Sequence, residues 1–129
     1  MQSQYVLQYE DLEKYHWWWI ARREIVCFIL SKLASPGEQR PRVLDIGCGA
    51  GMQLSILDGF DAVGVEPNPI LAERARVNTS AEILNEGLPI HPSSLNTPFD
   101  FILLLDVLEH LDHDVEGLRS DGEMKSRRT

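Results

Sequence analysis

The chain has 129 residues, 43% of them hydrophobic and 25% charged, which is the size and composition of one soluble globular domain and excludes a fibrous or low-complexity chain. Its formal net charge of −8 works against a general grip on nucleic-acid phosphates, which needs clustered Lys and Arg. A small neutral or cationic substrate fits that balance better.

The N-terminus, MQSQYVLQYEDLEK, is polar and acidic where a signal peptide is basic and then apolar, and the run Ile25 to Leu30 is too short to span a bilayer. No membrane anchor is expected. From Asp11 to Leu33 the residues Leu12, Tyr15, Trp19, Val26, Ile29, Leu30 and Leu33 recur at helical spacing, with Glu13, Lys14, Arg22, Arg23 and Lys32 between them. This predicts one amphipathic helix, either continuous or broken near Trp17, ended by Ser35-Pro36-Gly37. Cys27 lies in an apolar run and Cys48 between two glycines, without metal-ligand or disulfide-framework spacing, so no metal is expected and a reducing cytoplasm is the default compartment.

Pro41 to Ile46 reads as a strand that runs into Gly47-Cys48-Gly49-Ala50-Gly51, and Met52 to Leu57 as a short helix. Phe60 to Val65 is the next strand, closing on Glu66. Asn68-Pro69 then supplies an N-cap and a favoured first helical residue for a helix over Ile70 to Val77. Glu82 to Leu84 is a weaker strand. After a loop rich in Gly, Pro, Ser and Asn comes Phe99 to Leu105, whose near-continuous apolar character predicts burial on both faces. Alternating strands and helices imply an α/β doubly wound core. Asp112 to Leu118 has the makings of a further helix, and the polar stretch 119–129 is expected to be a disordered tail.

The glycine loop is the most informative feature. A turn between strand and helix leaves room for a ligand only where side chains are absent, and a helix N-terminus directs N–H groups at it. An acid at the end of the second strand, roughly 20 residues on, is the expected acceptor for ribose hydroxyls, and Glu66 occupies that place. Nicotinamide and flavin enzymes share this layout but use G-x-G-x-x-G, which puts the third small residue at Met52. A nicotinamide-dependent oxidoreductase is therefore disfavoured. A tight βα turn and an exposed carboxylate at a strand end are the plainer readings of the same residues.

With Asp45 two residues before the first glycine, Val43 to Gly51 resembles the first motif, (V/L)LD(I/V)GCGxG, of the class I S-adenosylmethionine-dependent methyltransferases. Val63-Gly64-Val65-Glu66 is similar to that family's second motif, and Phe99 to Leu111 to its fourth-strand segment, FDxIxxxDVLEHL. Leu88-Pro89-Ile90 is similar to the LPF element before that strand. The resemblance implies a Rossmann-like methyltransferase fold with strand order 3-2-1-4, within a domain over residues 1–118. It implies S-adenosylmethionine as cofactor and methyl transfer to a small-molecule acceptor. The loop Gly47, Cys48, Gly49 and Gly51 would approach the methionyl part, Asp45 would help hold its amino group, and Glu66, beside Pro67, would take the ribose diol. Leu88 is counted with the cofactor site. Asp106, at the end of the fourth strand, would lie beside the methyl donor and substrate.

A sulfonium methyl is already a strong electrophile, so the protein's main task is to align a nucleophile behind it. A general base is needed only for an acceptor protonated at neutral pH, and His110 is the candidate, with loop orientation or helix capping as its plainer role. Tyr15-His16-Trp17-Trp18-Trp19 followed by Arg22-Arg23 resembles the aromatic, arginine-rich helix, here about 11–34, that covers the active-site mouth in many small-molecule members. The aromatics would enclose an apolar or cationic acceptor, and the arginines hold a carboxylate or phosphate. The alternative is a core helix packed by its tryptophans. Family members have a seven-stranded sheet, and the resemblance stops after Leu118 with four strands at most. Two further expectations follow: a non-catalytic remnant that binds cofactor weakly, and self-association or partner pairing through an exposed sheet edge.

Overall fold

The computed structural model describes residues 3–34, 37, 39–87 and 98–105. Helix α1 (Ser3–Tyr15) and helix α2 (Trp17–Leu33) precede strand β1 (Arg42–Ile46), helix α3 (Met52–Ser55), strand β2 (Asp61–Val65), helix α4 (Pro69–Asn78), strand β3 (Glu82–Leu84) and strand β4 (Phe101–Leu103). The four strands form one parallel sheet in the order β3-β2-β1-β4, the α/β Rossmann-like arrangement that the motifs imply. Residues 88–97 and 106–129 lie outside the described residues, and with them Leu88, Asp106, His110, the helix expected over Asp112 to Leu118 and the tail.

The single helix expected from Asp11 is two helices, the first starting at Ser3. Its break falls at His16, whose extended backbone ends one helix and whose Nδ1 accepts the Trp18 N–H at 3.2 Å to cap the next. Arg23 secures the corner from the other side. Its guanidinium donates to the Glu13 carbonyl and, at 3.4 Å, to the Lys14 carbonyl, two acceptors left over in the last turn of α1. The expected apolar stripe is buried only in part: Leu30 lies in the core and Val26 packs against it. Leu12, Tyr15, Ile29 and Leu33 are exposed, and the inward residues are Val6, Glu10, Glu13 and Leu30.

Period-two alternation divides the sheet residues between two clusters. Val43, Ile83 and Leu103 pack with Leu30, Cys48, Leu54, Leu57, Phe60, Ala72 and Ala75, while Leu44, Val63 and Val65 pack with Ile46, Leu84 and Phe99. Gly64 lies in the middle of β2 opposite Asp45, and a Cβ there would come within 2.6 Å of Leu54 and 2.8 Å of the Cys48 sulfur. The bare backbone lets the loop residues fold down onto the sheet. Asn68 caps α4 as predicted, its side-chain oxygen accepting from Ile70 N at 3.0 Å and Leu71 N at 3.1 Å, with Pro69 following.

Strand β4 departs from the expectation of burial on both faces. Leu103 is buried, but Ile102 is 48% exposed. Among the described residues β4 pairs only with β1 and forms one edge of the sheet, so its apolar composition is not matched by cover on both sides.

Candidate cofactor site

The carboxyl ends of β1 and β2 turn into two adjacent segments, Gly47 to Gly51 and Glu66 to Asn68. All three loop glycines have positive φ, 75° at Gly47, 59° at Gly49 and 85° at Gly51. At Gly51 the demand is double, since a Cβ would also meet the Ala75 backbone of α4 at 3.0 Å.

Every N–H of the loop has a partner within the chain. Gly47 and Cys48 both donate to the Val65 carbonyl, at 2.7 and 3.0 Å, and Gly51 donates to the Cys48 carbonyl at 3.0 Å. Gly49 donates to Glu66 Oε1 at 2.9 Å, and Ala50 to Glu13 Oε2 at 2.7 Å. The N–H groups of residues 47–51 are therefore not directed at a ligand. In this loop the donors fix the loop's own shape and hold two carboxyl groups against it.

Glu66 also accepts the Asn68 N–H at 2.8 Å on its second oxygen, and it is buried. Two backbone donors thus orient the carboxylate that the sequence assigns to a ribose diol. Pro67 follows it, and Asn85 ties the segment down by donating to the Glu66 carbonyl at 2.8 Å and the Pro67 carbonyl at 3.0 Å. Asp45 is 2% exposed, next to the loop on β1. Cys48 contributes backbone only: its side chain is buried, and burial, then the charges of Asp45, Glu66 and Glu13, push the thiol far above its ordinary range. A thiol so protected is neither nucleophile nor ligand.

Sequence reading missed the contribution of α1. Glu13 reaches the loop across 37 positions, and burial, with the neighbouring charges of Asp45 and Glu66, raises its pKa to about 8 against the opposing effects of the Ala50 hydrogen bond and Arg22. One turn earlier, Glu10 receives Arg74 Nε at 2.9 and 3.1 Å and Asn78 Nδ2 at 2.8 Å. Burial works to raise the Glu10 pKa, but the Asn78 and Arg74 hydrogen bonds and the Lys14 and Arg74 charges outweigh it and hold it below the ordinary value. Asn78 also donates to the Ala50 carbonyl at 2.9 Å, so α1, α4 and the loop share one polar network. Val6, Tyr9, Ala50 and Leu71 form the apolar patch beside it.

The aromatic cluster divides. Trp17 and Trp18 are 70% and 52% exposed, so these two do not pack a core. Trp19 packs edge-on against Tyr9 at 5.5 Å, with the Arg22 guanidinium 4.4 Å from its ring centre. Arg23 is committed to the carbonyls of α1, so the expectation that it holds a substrate anion is not met.

A cleft of about 500 Å³ opens elsewhere, at the amino ends of β2 and β3, lined by Arg42, Asp58, Asp61, Ser80 and Glu82 among others. None of the loop glycines or site acids lines it, and ligands of open α/β sheets bind at the opposite, carboxyl end. The functional assignment therefore stays with the loop. Among the described residues no group of three or more His, Cys, Asp or Glu is placed to hold a metal ion, and no helix is long and apolar enough to cross a membrane.

Comparison with known proteins agrees with this geometry. A family model described as a methyltransferase domain matches residues 16–120. A ubiquinone biosynthesis O-methyltransferase of Azorhizobium caulinodans is 34% identical over 89 residues, which cover 64% of this chain and 35% of the relative. Its mitochondrial counterpart in Schizosaccharomyces pombe is 31% identical over 87 residues, covering 61% and 32%. The chain thus spans about a third of the length of the curated relatives it matches. Among solved structures, a SAM-bound amino pentose methyltransferase from Micromonospora echinaspora aligns with a TM-score of 0.66 at 21% identity, over 93% of this chain and 49% of that one. A TehB-like SAM-dependent methyltransferase from Corynebacterium glutamicum aligns with a TM-score of 0.62 at 24% identity, over 91% and 60%. These two likenesses carry the fold, and the family match carries the assignment: the chain belongs to the class I S-adenosylmethionine-dependent methyltransferases.

Proposed function

We propose that this chain supplies the cofactor half of an S-adenosylmethionine-dependent methyltransferase acting on a small-molecule acceptor. The observation that carries the reading is the chemistry of the loop. Its N–H groups are all engaged, two of them by carboxyl groups, and Asp45 lies buried beside them. A pyrophosphate needs free donors and positive charge, and it would meet three acids here. A ligand that carries ammonium and sulfonium charge and a ribose diol fits the same groups.

In this reading Asp45 holds the cofactor's amino group, Glu66 accepts from the ribose hydroxyls beside Pro67, and Gly47, Cys48, Gly49 and Gly51 offer bare backbone to the methionyl part. The bound cofactor supplies an electrophilic methyl group. The chain's own work is to orient and to exclude water. Leu88 and Asp106 complete the proposed cofactor contacts and His110 the proposed base, all three outside the described residues. Trp17 and Trp18, exposed at the start of α2, suit a cover over the acceptor. A cytoplasmic location belongs to the same proposal, supported by two free cysteines. So does self-association through β4, supported by the exposure of Ile102 and Leu104 at the edge of the described sheet.

The test is calorimetric titration of the purified chain with S-adenosylhomocysteine, beside the Glu66→Ala variant. Micromolar binding that the variant loses supports the proposal. A folded chain that does not bind, or a variant that binds equally well, contradicts it.

A further inference from the structure

We propose that Glu13 is a positioning residue of the cofactor site, which braces the glycine loop from α1 and exchanges its proton for the positive charge of the cofactor. The inference rests on the cofactor reading above and extends it to an element outside the loop motifs. Three observations carry it. The Glu13 carboxyl accepts the Ala50 N–H at 2.7 Å, next to the Gly49 N–H that Glu66 takes at 2.9 Å, so two carboxyl groups from different elements fix consecutive loop residues. Both Glu13 oxygens lie 3.0 Å from where a Gly49 Cβ would be, beside Tyr9, so the loop accommodates this side chain only because Gly49 has none. The anchor of α1 is independent of Glu13, because Glu10 is held by Arg74 and Asn78 of α4.

The groups that act on Glu13 are Asp45 from β1, Glu66 after β2 and Arg22 from α2, and Tyr9 of its own helix faces the same Gly49. Cys48 stays a neutral thiol beside them. Three carboxyl groups in one buried site disfavour full ionisation, and burial with the neighbouring charges raises Glu13 to about 8, so it carries a proton at neutral pH. A cationic ligand at the same acids reverses that preference, so binding releases the proton. Ligand affinity then rises with pH up to about 8, by as much as tenfold per unit. The Ala50 N–H keeps an acceptor in either protonation state.

The experiment compares the chain with Glu13→Gln, which retains an oxygen for Ala50 but cannot titrate, by calorimetric titration with S-adenosylmethionine at pH 6.5, 7.5 and 8.5. The ratio of variant to wild-type Kd cancels the ligand's own titration. It is expected to grow about tenfold or more across the series, whereas a constant ratio overturns the inference. Glu13→Ala, which removes the brace as well, is expected to bind more weakly than Glu13→Gln at every pH; equal binding overturns the bracing role. Should the variants not fold, the wild-type heat in phosphate and in Tris at pH 7.0 decides, with net proton release expected and no release or net uptake overturning the inference. A wild-type chain that binds neither S-adenosylmethionine nor S-adenosylhomocysteine overturns the cofactor reading itself, and the inference with it.

Discussion

Gly51→Ala tests the fit of the glycine loop against α4 most sharply. At φ 85° an L-residue costs about 1–2 kcal/mol in backbone strain. The added methyl would stand 3.0 Å from the Ala75 Cα, 3.1 Å from its Cβ and 3.2 Å from Thr79 Cγ2. The first of these is main chain inside a capped helix and has little freedom to yield, so overpacking adds about 1–3 kcal/mol. The sum, about 2–5 kcal/mol, is a large part of the 5–15 kcal/mol available to a domain. Gly59→Ala is the matched control, because its Cβ would meet nothing within 4 Å, and it is expected to stay within about 0.5 kcal/mol of wild type. Urea unfolding followed by circular dichroism reads both. With a slope of about 1–3 kcal/mol/M, the Gly51→Ala midpoint falls by about 0.7 M or more. A Gly51→Ala curve that overlies that of Gly59→Ala would refute the reasoning.

Two further predictions concern stability. Asn68→Ala removes the acceptor for two N–H groups of α4 and is expected to cost about 1 kcal/mol by the same unfolding assay, with Asn68→Ser recovering most of it; no loss would show that Pro69 alone starts the helix. Glu13 holds its proton more tightly when folded than unfolded, so its stabilising contribution is complete below about pH 4.5 and is lost as pH rises to about 8. Glu10, depressed in the folded chain, acts oppositely and loses its contribution only as pH falls below about 4.5. Between pH 6 and 8.5 the wild type should therefore lose on the order of 2–3 kcal/mol that Glu13→Gln does not lose. Parallel losses in the two proteins would contradict the assignment.

The parts of the fold that were legible in the sequence are those written in local chemistry. Gly47, Gly49 and Gly51 declare a backbone that side chains would obstruct, Asn68-Pro69 declares a helix start, and the apolar runs declare the strands that order as β3-β2-β1-β4. The acids of α1 were not legible. Glu13 sits between Leu12 and Lys14 in a polar stretch, where a charged residue ordinarily faces water. Its burial depends on Ala50, 37 positions away, and that of Glu10 on Arg74 and Asn78, 64 and 68 positions away. Spacing within one helix carries no trace of partners so distant. The helical stripe held only at Leu30 and Val26, for a related reason. His16 restarts the phase, so Leu12 and Leu33 belong to different helices and neither is buried. Glu66 could be named because it closes the second strand roughly 20 residues after the loop, whereas its hydrogen bonds to Gly49 and Asn68 emerged only with the folded turn.

The acids around the loop should make it select a cationic nucleoside over a pyrophosphate. Parallel calorimetric titrations of the chain with S-adenosylmethionine and with NADH at pH 8 test it directly. Micromolar binding of S-adenosylmethionine, with NADH at least about 100-fold weaker, a difference of about 2.7 kcal/mol, is the predicted result. Comparable binding of both, or tighter binding of NADH, would contradict it.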